Sequence, residues 1–255
     1  MKVTVLGSGT SQGVPVIACQ CEVCLSSDPK DKRLRASVMI EHDGMNYCID
    51  SGPDFRQQML TNDVRSLEGI LYTHEHKDHI AGMDDVRAFN FLQQRPMDLY
   101  CNTQVEEALR REFHYVFLQD GYPGIPKVTI NRISADAPFL LKNGLEVQPI
   151  EVLHYKMPVL GFRINNFTYI TDAKTISEKE KEKVKGTEVL IINALRLEPH
   201  LSHFNLEEAL QFIAEINPSK AYITHISHLF GTHQQITDQL PDNVYAAYDG
   251  LTIEL

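Results

Sequence analysis

Between positions 74 and 79 the chain reads His74-Glu75-His76-Lys77-Asp78-His79. Three imidazoles and two carboxylates fall within six positions, and few folds have use for such a cluster. Imidazole is the commonest metal ligand, and a carboxylate is its natural partner at a divalent hydrolytic site. Apolar Ile70-Leu71-Tyr72 runs in as a short strand and Gly82 follows. The segment therefore predicts a metal site at the carboxyl end of a strand.

The 255 residues are 43% hydrophobic and can bury a sizeable core in one domain spanning 1–255. The formal net charge is −10. That disfavours broad attraction to nucleic acid or to an anionic membrane. No apolar run approaches the roughly 18 residues of a membrane span. The start, Met1-Lys2-Val3-Thr4-Val5-Leu6-Gly7, reads as a strand entering a glycine turn rather than a signal peptide, so a cytoplasmic location is expected. Five cysteines, an odd number, do not suggest a disulfide framework.

Strand patterns occur at 3–6, 37–40, 45–49, 145–153, 161–164, 167–171, 189–192 and 221–224. Asp43-Gly44 is a strong hairpin signal, and Asn165-Asn166 is a further turn. Helical spacing covers 56–60, 83–92 and 104–116, and 177–185 reads as a solvated helix face. Asn205 is placed to cap a helix over 206–216, with Glu208 three positions on as in a capping box. Hairpins dominate both halves and each half ends in helices, which fits two packed sheets with helices outside.

A dinuclear site needs more than four side chains. His154, Asp172 and His225 each end a predicted strand. Singly, each has an ordinary explanation as a turn, cap or solvated residue. Their repetition at three strand ends is the informative point, because strand ends make a rigid frame for a site. This set, His74-x-His76-x-Asp78-His79 followed by His154, Asp172 and His225, resembles the ligand pattern of the metallo-β-lactamase-fold hydrolases. The resemblance extends over nearly the whole chain, including Asp50-Ser51-Gly52-Pro53-Asp54. It implies an α+β fold, a four-layer αββα sandwich. It further implies two divalent metals, one held by His74, His76 and His154, the other by Asp78, His79 and His225, with Asp172 bridging. The motif speaks for fold and metal more than for substrate.

Cys19-Gln20-Cys21-Glu22-Val23-Cys24 forms a second constellation. Three thiols this close in a reducing compartment suggest zinc, which wants a fourth ligand; His228, three residues after His225, is a candidate. Cys48 and Cys101 read as packing residues at a strand and a strand edge. The thiol cluster, the trailing histidine and the opening Gly7-Ser8-Gly9-Thr10-Ser11-Gln12-Gly13-Val14-Pro15 are similar to those of the PhnP-type phosphodiesterases. By that resemblance Cys19, Cys21, Cys24 and His228 hold a structural zinc.

The implied chemistry is attack on a phosphodiester by a hydroxide shared between two metals, manganese or zinc. Asp78 is counted with the catalytic residues as well as the ligands. An alkoxide leaves poorly unless protonated, so a general acid is required. His203, just before the capped helix, aligns with the proton-donating histidine of related phosphodiesterases better than His200 does. His42, His114 and His233 fit exposed turns or helix faces. The expected partner is a small phosphodiester, cyclic ribose phosphates or nucleotide-like diesters, and related hydrolases suggest a homodimer. A tRNA 3′-processing endonuclease is the first alternative, disfavoured by the acidic balance and by the lack of a long Gly/basic arm. A thioesterase or lactonase on the same fold is the second, and a non-enzymatic zinc module the third. The loops 93–98 and 119–127 are placed to face substrate but carry no decisive motif.

Overall fold

The computed structural model describes residues 1–118 and 122–255. Residues 119–121 of the loop 119–127 therefore lie outside the described residues. The strands are β1 (Lys2–Gly7), β2 (Ser37–His42), β3 (Met45–Ile49), β4 (Gly69–Leu71), β5 (Met97–Cys101), β6 (Val128–Arg132), β7 (Phe139–Leu140), β8 (Glu146–His154), β9 (Met157–Ile164), β10 (Phe167–Ile170), β11 (Thr175–Ile176), β12 (Val189–Asn193), β13 (Lys220–Thr224), β14 (Val244–Ala246) and β15 (Thr252–Glu254). The α-helices are α1 (Glu22–Leu25), α2 (Phe55–Thr61), α3 (Lys77–Ile80), α4 (Arg87–Gln93), α5 (Thr103–Glu112), α6 (Glu178–Val184), α7 (Leu206–Ile216) and α8 (His233–Thr237).

One sheet has the order β15-β1-β2-β3-β4-β5-β6 and the other β11-β8-β9-β10-β12-β13-β14, with β7 paired to β8. Asp43 and Gly44 turn β2 into β3 with φ of 50° and 72°, the left-handed pair that a tight hairpin requires. Hairpins make only part of each sheet. From β3 to β6, and from β10 through β12 to β14, neighbours are parallel. Parallel neighbours need crossovers, and the helices supply them.

Strand alternation divides the apolar residues among three layers. In β12, Ile191 faces Phe162, Phe167 and Tyr169 between the sheets. Its neighbours Leu190 and Ile192 face Ala209, Phe212 and Ile213 of α7. In the first sheet Ile40, Tyr47 and Ile49 face inward. Met39 and Cys48 face outward to Phe55, Val105 and Leu109. Helices, sheet, sheet and helices thus form the four-layer αββα sandwich, as the sequence suggests.

The capping box at α7 is present: Glu208 N–H donates to Asn205 Oδ1 and Asn205 N–H donates to Glu208 Oε2, each at 3.0 Å. Several expectations are corrected. The helix over 104–116 stops at Glu112, and His114–Phe117 is a 3-10 turn. Val116 and Phe117 still pack on the same core, so apolar spacing alone runs past the break. The segment 83–92 divides likewise into a 3-10 turn at Met83–Val86 and then α4. The face over 177–185 is not wholly solvated, since Glu180 and Val184 are buried. Cys101 lies fully buried in β5 between β4 and β6, not at an edge. Among the described residues no helix is long and apolar enough to cross a membrane.

His233 is not a free helix-face residue. Its ring packs edge-on to Tyr248 at 5.7 Å between centroids, and Nδ1 lies 3.3 Å from the buried Arg33 guanidinium. Burial, then Arg33 and Lys30, push its pKa down to about 4 from 6.5, against the opposing pull of Asp28 and Asp31. The unfolded chain therefore takes up a proton at a pH where the folded chain still refuses it. Stability is expected to fall as pH drops from 6.5 towards about 4. Urea melts should show a flatter slope in that window for His233→Gln than for the native chain; parallel slopes would contradict it.

Candidate active site

Both sheets present strand ends at one edge. Beyond β4, Tyr72 and Thr73 lead to His74. His76 adopts extended backbone (φ −62°, ψ 149°) as the N-cap of the single turn α3, which carries Asp78 and His79. The second sheet contributes His154, the last residue of β8, then Asp172 just after β10 and His225 just after β13. Asp172 and His225 have φ of 56° and 58°. Such left-handed backbone is uncommon for these residues and recurs where a fold aims side chains at a site.

The structure brings all seven predicted ligands together. His79 Nε2 lies 3.1 Å from Asp78 Oδ2 and 3.3 Å from Asp172 Oδ2, and His225 Nε2 lies 3.3 Å from Asp172 Oδ1. The ring of His76 is 4.6 Å from that of His74 and 5.2 Å from that of His154. Ligand atoms of Asp78, His79 and His225 fall within 4.8 Å of one another, matching one expected set. His74 groups most tightly with His79 and Asp172 rather than with His76 and His154. Asp172 takes part in two groups, with His74 and His79 and with His154 and His203. His203 joins the same cluster, with Nδ1 3.7 Å from Asp172 Oδ1 and its ring 4.5 Å from that of His154. His200 stands one ring further out, 5.1 Å from His203, with Nδ1 accepting from Ser202 N–H.

The donor set fits divalent metal. Nε2 of His74, His79 and His225 and Nδ1 of His154, His203 and His225 are buried without a hydrogen-bond partner. Buried polar atoms are rarely left so. Burial keeps His74 well below its ordinary pKa and lowers His154 too, which leaves both neutral and able to ligate. Burial alone would raise Asp172 and Asp78, yet facing imidazoles outweigh it and hold both carboxyls below their usual range. His79 is the converse. Burial opposes its charge, but Asp78, Asp50 and Asp172 pull its pKa well above 6.5. Carboxylates collected here demand positive charge, which a divalent cation meets in place of protons.

Asp50 is a functional residue that the sequence reading did not assign. It is fully buried, and Oδ2 accepts from His79 Nδ1 at 2.7 Å and from Thr73 Oγ1 at 2.8 Å, while Oδ1 accepts from Thr73 N–H at 2.8 Å. The bond to Nδ1 turns the other ring nitrogen of His79 towards the cluster. Glycines press this loop onto α3. A Cβ on Gly52 would sit 2.0 Å from the Asp78 carbonyl oxygen, and one on Gly82 would sit 2.2 Å from that of Gly52.

The thiol cluster is assembled separately. Sγ of Cys19, Cys21 and Cys24 lie 3.3, 3.4 and 3.6 Å from His228 Nδ1. A tetrahedral zinc with sulfur at about 2.3 Å and nitrogen at about 2.0 Å sets the two about 3.5 Å apart, so the arrangement fits. Val14, Val16 and Val23 pack around it. The Cys24 N–H, then His228, lower the Cys21 thiol to about 6, whereas burial pushes Cys24 up to about 11. The cluster ties α1 to the segment after β13 across 204 residues.

Residues 45–226 match the Beta-lactamase superfamily domain. The octanoyltransferase of Porphyromonas gingivalis (strain ATCC BAA-308 / W83) is 39% identical over 253 residues, 98% of this chain and 51% of the relative. The chain thus spans about half the length of that curated relative. A diphosphatase from the PhnP family superposes with a TM-score of 0.93 at 37% identity, covering 100% of this chain and 97% of its own. Zn(2+)-bound PqqB from Methylobacterium extorquens has a TM-score of 0.83 at 20% identity with both chains wholly covered, a likeness of fold.

Two variants probe the framework. Gly52→Ala must part this loop from Asp78 by about an ångström or more, and hydrolysis is expected to fall about 100-fold; native activity would show that the close approach is not needed. Cys21→Ser should lower the melting temperature by roughly 5–10 °C while sparing the chemistry at the His/Asp cluster. Lost activity at unchanged melting temperature would contradict a structural role.

Proposed function

The chain belongs to the β-lactamase superfamily, and from that membership we propose that it is a metal-dependent hydrolase that cleaves small phosphodiesters, with nucleotide-like and cyclic ribose phosphates the leading class. The observation that carries this reading is His203, a buried imidazole outside the proposed ligand set yet in contact with it. Likeness to the PhnP-family diphosphatase over nearly its full length supports phosphoryl chemistry.

Two divalent cations, manganese or zinc, held by His74, His76 and His154 and by Asp78, His79 and His225 with Asp172 shared, would neutralise phosphoryl oxygens and furnish a nucleophile at neutral pH. The protein's own part is positioning and proton supply. Asp50 holds the His79 ring, and α3 holds Asp78 and His79 in one turn. His203 faces the cluster, where a leaving oxygen would depart. Burial, then His225, push His203 down to about 3. A phosphodiester beside it brings the negative charge that favours the imidazolium. The imidazolium gives its proton to the departing alkoxide oxygen, which leaves as the alcohol, and His203 becomes neutral.

An acyl ester or thioester hydrolase using the same residues is the second reading, favoured by the octanoyltransferase relative. The assay that separates them uses manganese-loaded protein on bis(p-nitrophenyl) phosphate, an alkyl phosphodiester and an acyl thioester, with Asp78→Ala as control. Phosphodiester turnover that vanishes in Asp78→Ala supports the first reading, and turnover confined to the thioester supports the second. His203→Ala should cost about 10²–10⁴ on the alkyl diester, and little on the nitrophenyl ester, whose leaving group needs no proton. Equal losses on both would exclude the general-acid role.

A further inference from the structure

β8 ends at His154 and β9 begins at Met157, and these two residues pair across the strands. Tyr155 and Lys156 alone make the turn. A two-residue turn of this kind asks for left-handed backbone at its first position, where glycine is preferred. Tyr155 occupies that position with φ 57°. Such backbone is unfavourable for a bulky side chain, and its presence beside a site points to function. The ring is not recruited to any apolar core and stays 51% exposed. Lys156 Nζ lies 5.2 Å from the ring centroid.

Other cations around the cluster are already paired. Lys77 meets Glu112, Lys174 meets Glu208, and Arg35 meets Asp54. Lys156 has no carboxylate partner among the described residues. The hairpin tip therefore sets an exposed aromatic ring and an ammonium without a carboxylate partner among the described residues directly after His154, on a chain whose net charge of −10 would otherwise repel an anionic substrate.

We propose that Tyr155 and Lys156 form a substrate clamp in which Tyr155 stacks on a planar ring of the substrate and Lys156 pairs with its phosphoryl group. This rests on the phosphodiesterase reading and narrows it to diesters that carry a nucleobase. An aromatic face accepts any base by stacking, and the ammonium supplies attraction without reading the base. The two side chains thus divide ring selectivity from charge attraction.

The test compares 2′,3′-cyclic AMP with glycerol 1,2-cyclic phosphate, the same five-membered cyclic diester with and without a base, on manganese-loaded enzyme. Tyr155→Gly should raise KM for 2′,3′-cyclic AMP about tenfold, with kcat and the glycerol substrate changed by less than about twofold. Tyr155→Phe should behave as the native enzyme. Lys156→Ala should raise KM for both substrates by the same factor. Because glycine suits the backbone, Tyr155→Gly should keep or raise the melting temperature, which a structural tyrosine would not allow. An equal loss on both substrates, or an unchanged ratio between them, overturns the clamp. If the native enzyme cleaves neither diester, the phosphodiesterase reading is decided by bis(p-nitrophenyl) phosphate and the alkyl diester, and the clamp is judged by calorimetric binding of AMP. Weaker binding by Tyr155→Gly then sustains it, and equal binding or none by the native protein overturns it.

Discussion

Three carboxylates, Asp50, Asp78 and Asp172, converge on the fully buried imidazole of His79. That much negative charge withdrawn from water must be compensated, and the architecture is arranged around doing so. Asp50 holds one side of the ring while Asp78 and Asp172 crowd the other. His74, His154, His203 and His225 present buried nitrogens with no hydrogen-bond partner. Divalent cations held by these residues would supply that compensation, so metal affinity and the geometry of hydrolysis would have one physical origin. The left-handed backbone at Asp50, Asp172 and His225 is the local cost of pointing these side chains inward from strand ends.

The two sheets make this arrangement rigid. Alternating residues on β2, β3 and β12 commit each strand to two apolar layers at once, so a strand cannot slide without exposing one of them. Strand ends that cannot slide give fixed origins for His154, Asp172 and His225. The thiol cluster adds a constraint from outside the sandwich. It ties an early loop to the segment that carries both His225 and His228, so a metal on the cysteines would also steady the last residue of the candidate site.

The sandwich and the clustering of the candidate ligands could be read from the sequence because ligand-type residues stand where predicted strands stop. Asp50 could not. It lies 29 residues from His79, and a carboxylate that supports a ligand leaves no local spacing to recognise. The β8–β9 hairpin was half hidden for a related reason: its turn lacks glycine or asparagine, and Tyr155-Lys156 gives no turn signal, so β9 seemed to start only at Gly161. The parallel crossovers were obscured by the hairpins beside them. His233 was misplaced because nothing near it in the sequence shows that Arg33, 200 residues earlier, closes over it. For Asp50 and His233 the missing information was a contact between distant segments, whereas the period of the apolar residues is local and legible, although over 104–116 it runs past the end of the helix.

The account depends most directly on metal occupying the cluster of imidazoles and carboxylates. Anomalous diffraction at the zinc and manganese edges, on crystals of protein purified without chelators, would locate the ions. It predicts peaks among His74, His76, Asp78, His79, His154, Asp172 and His225, with a separate zinc peak between Cys19, Cys21, Cys24 and His228. Crystals that take up zinc on the thiols but show no peak at the His/Asp cluster, even after soaking in manganese, would contradict it.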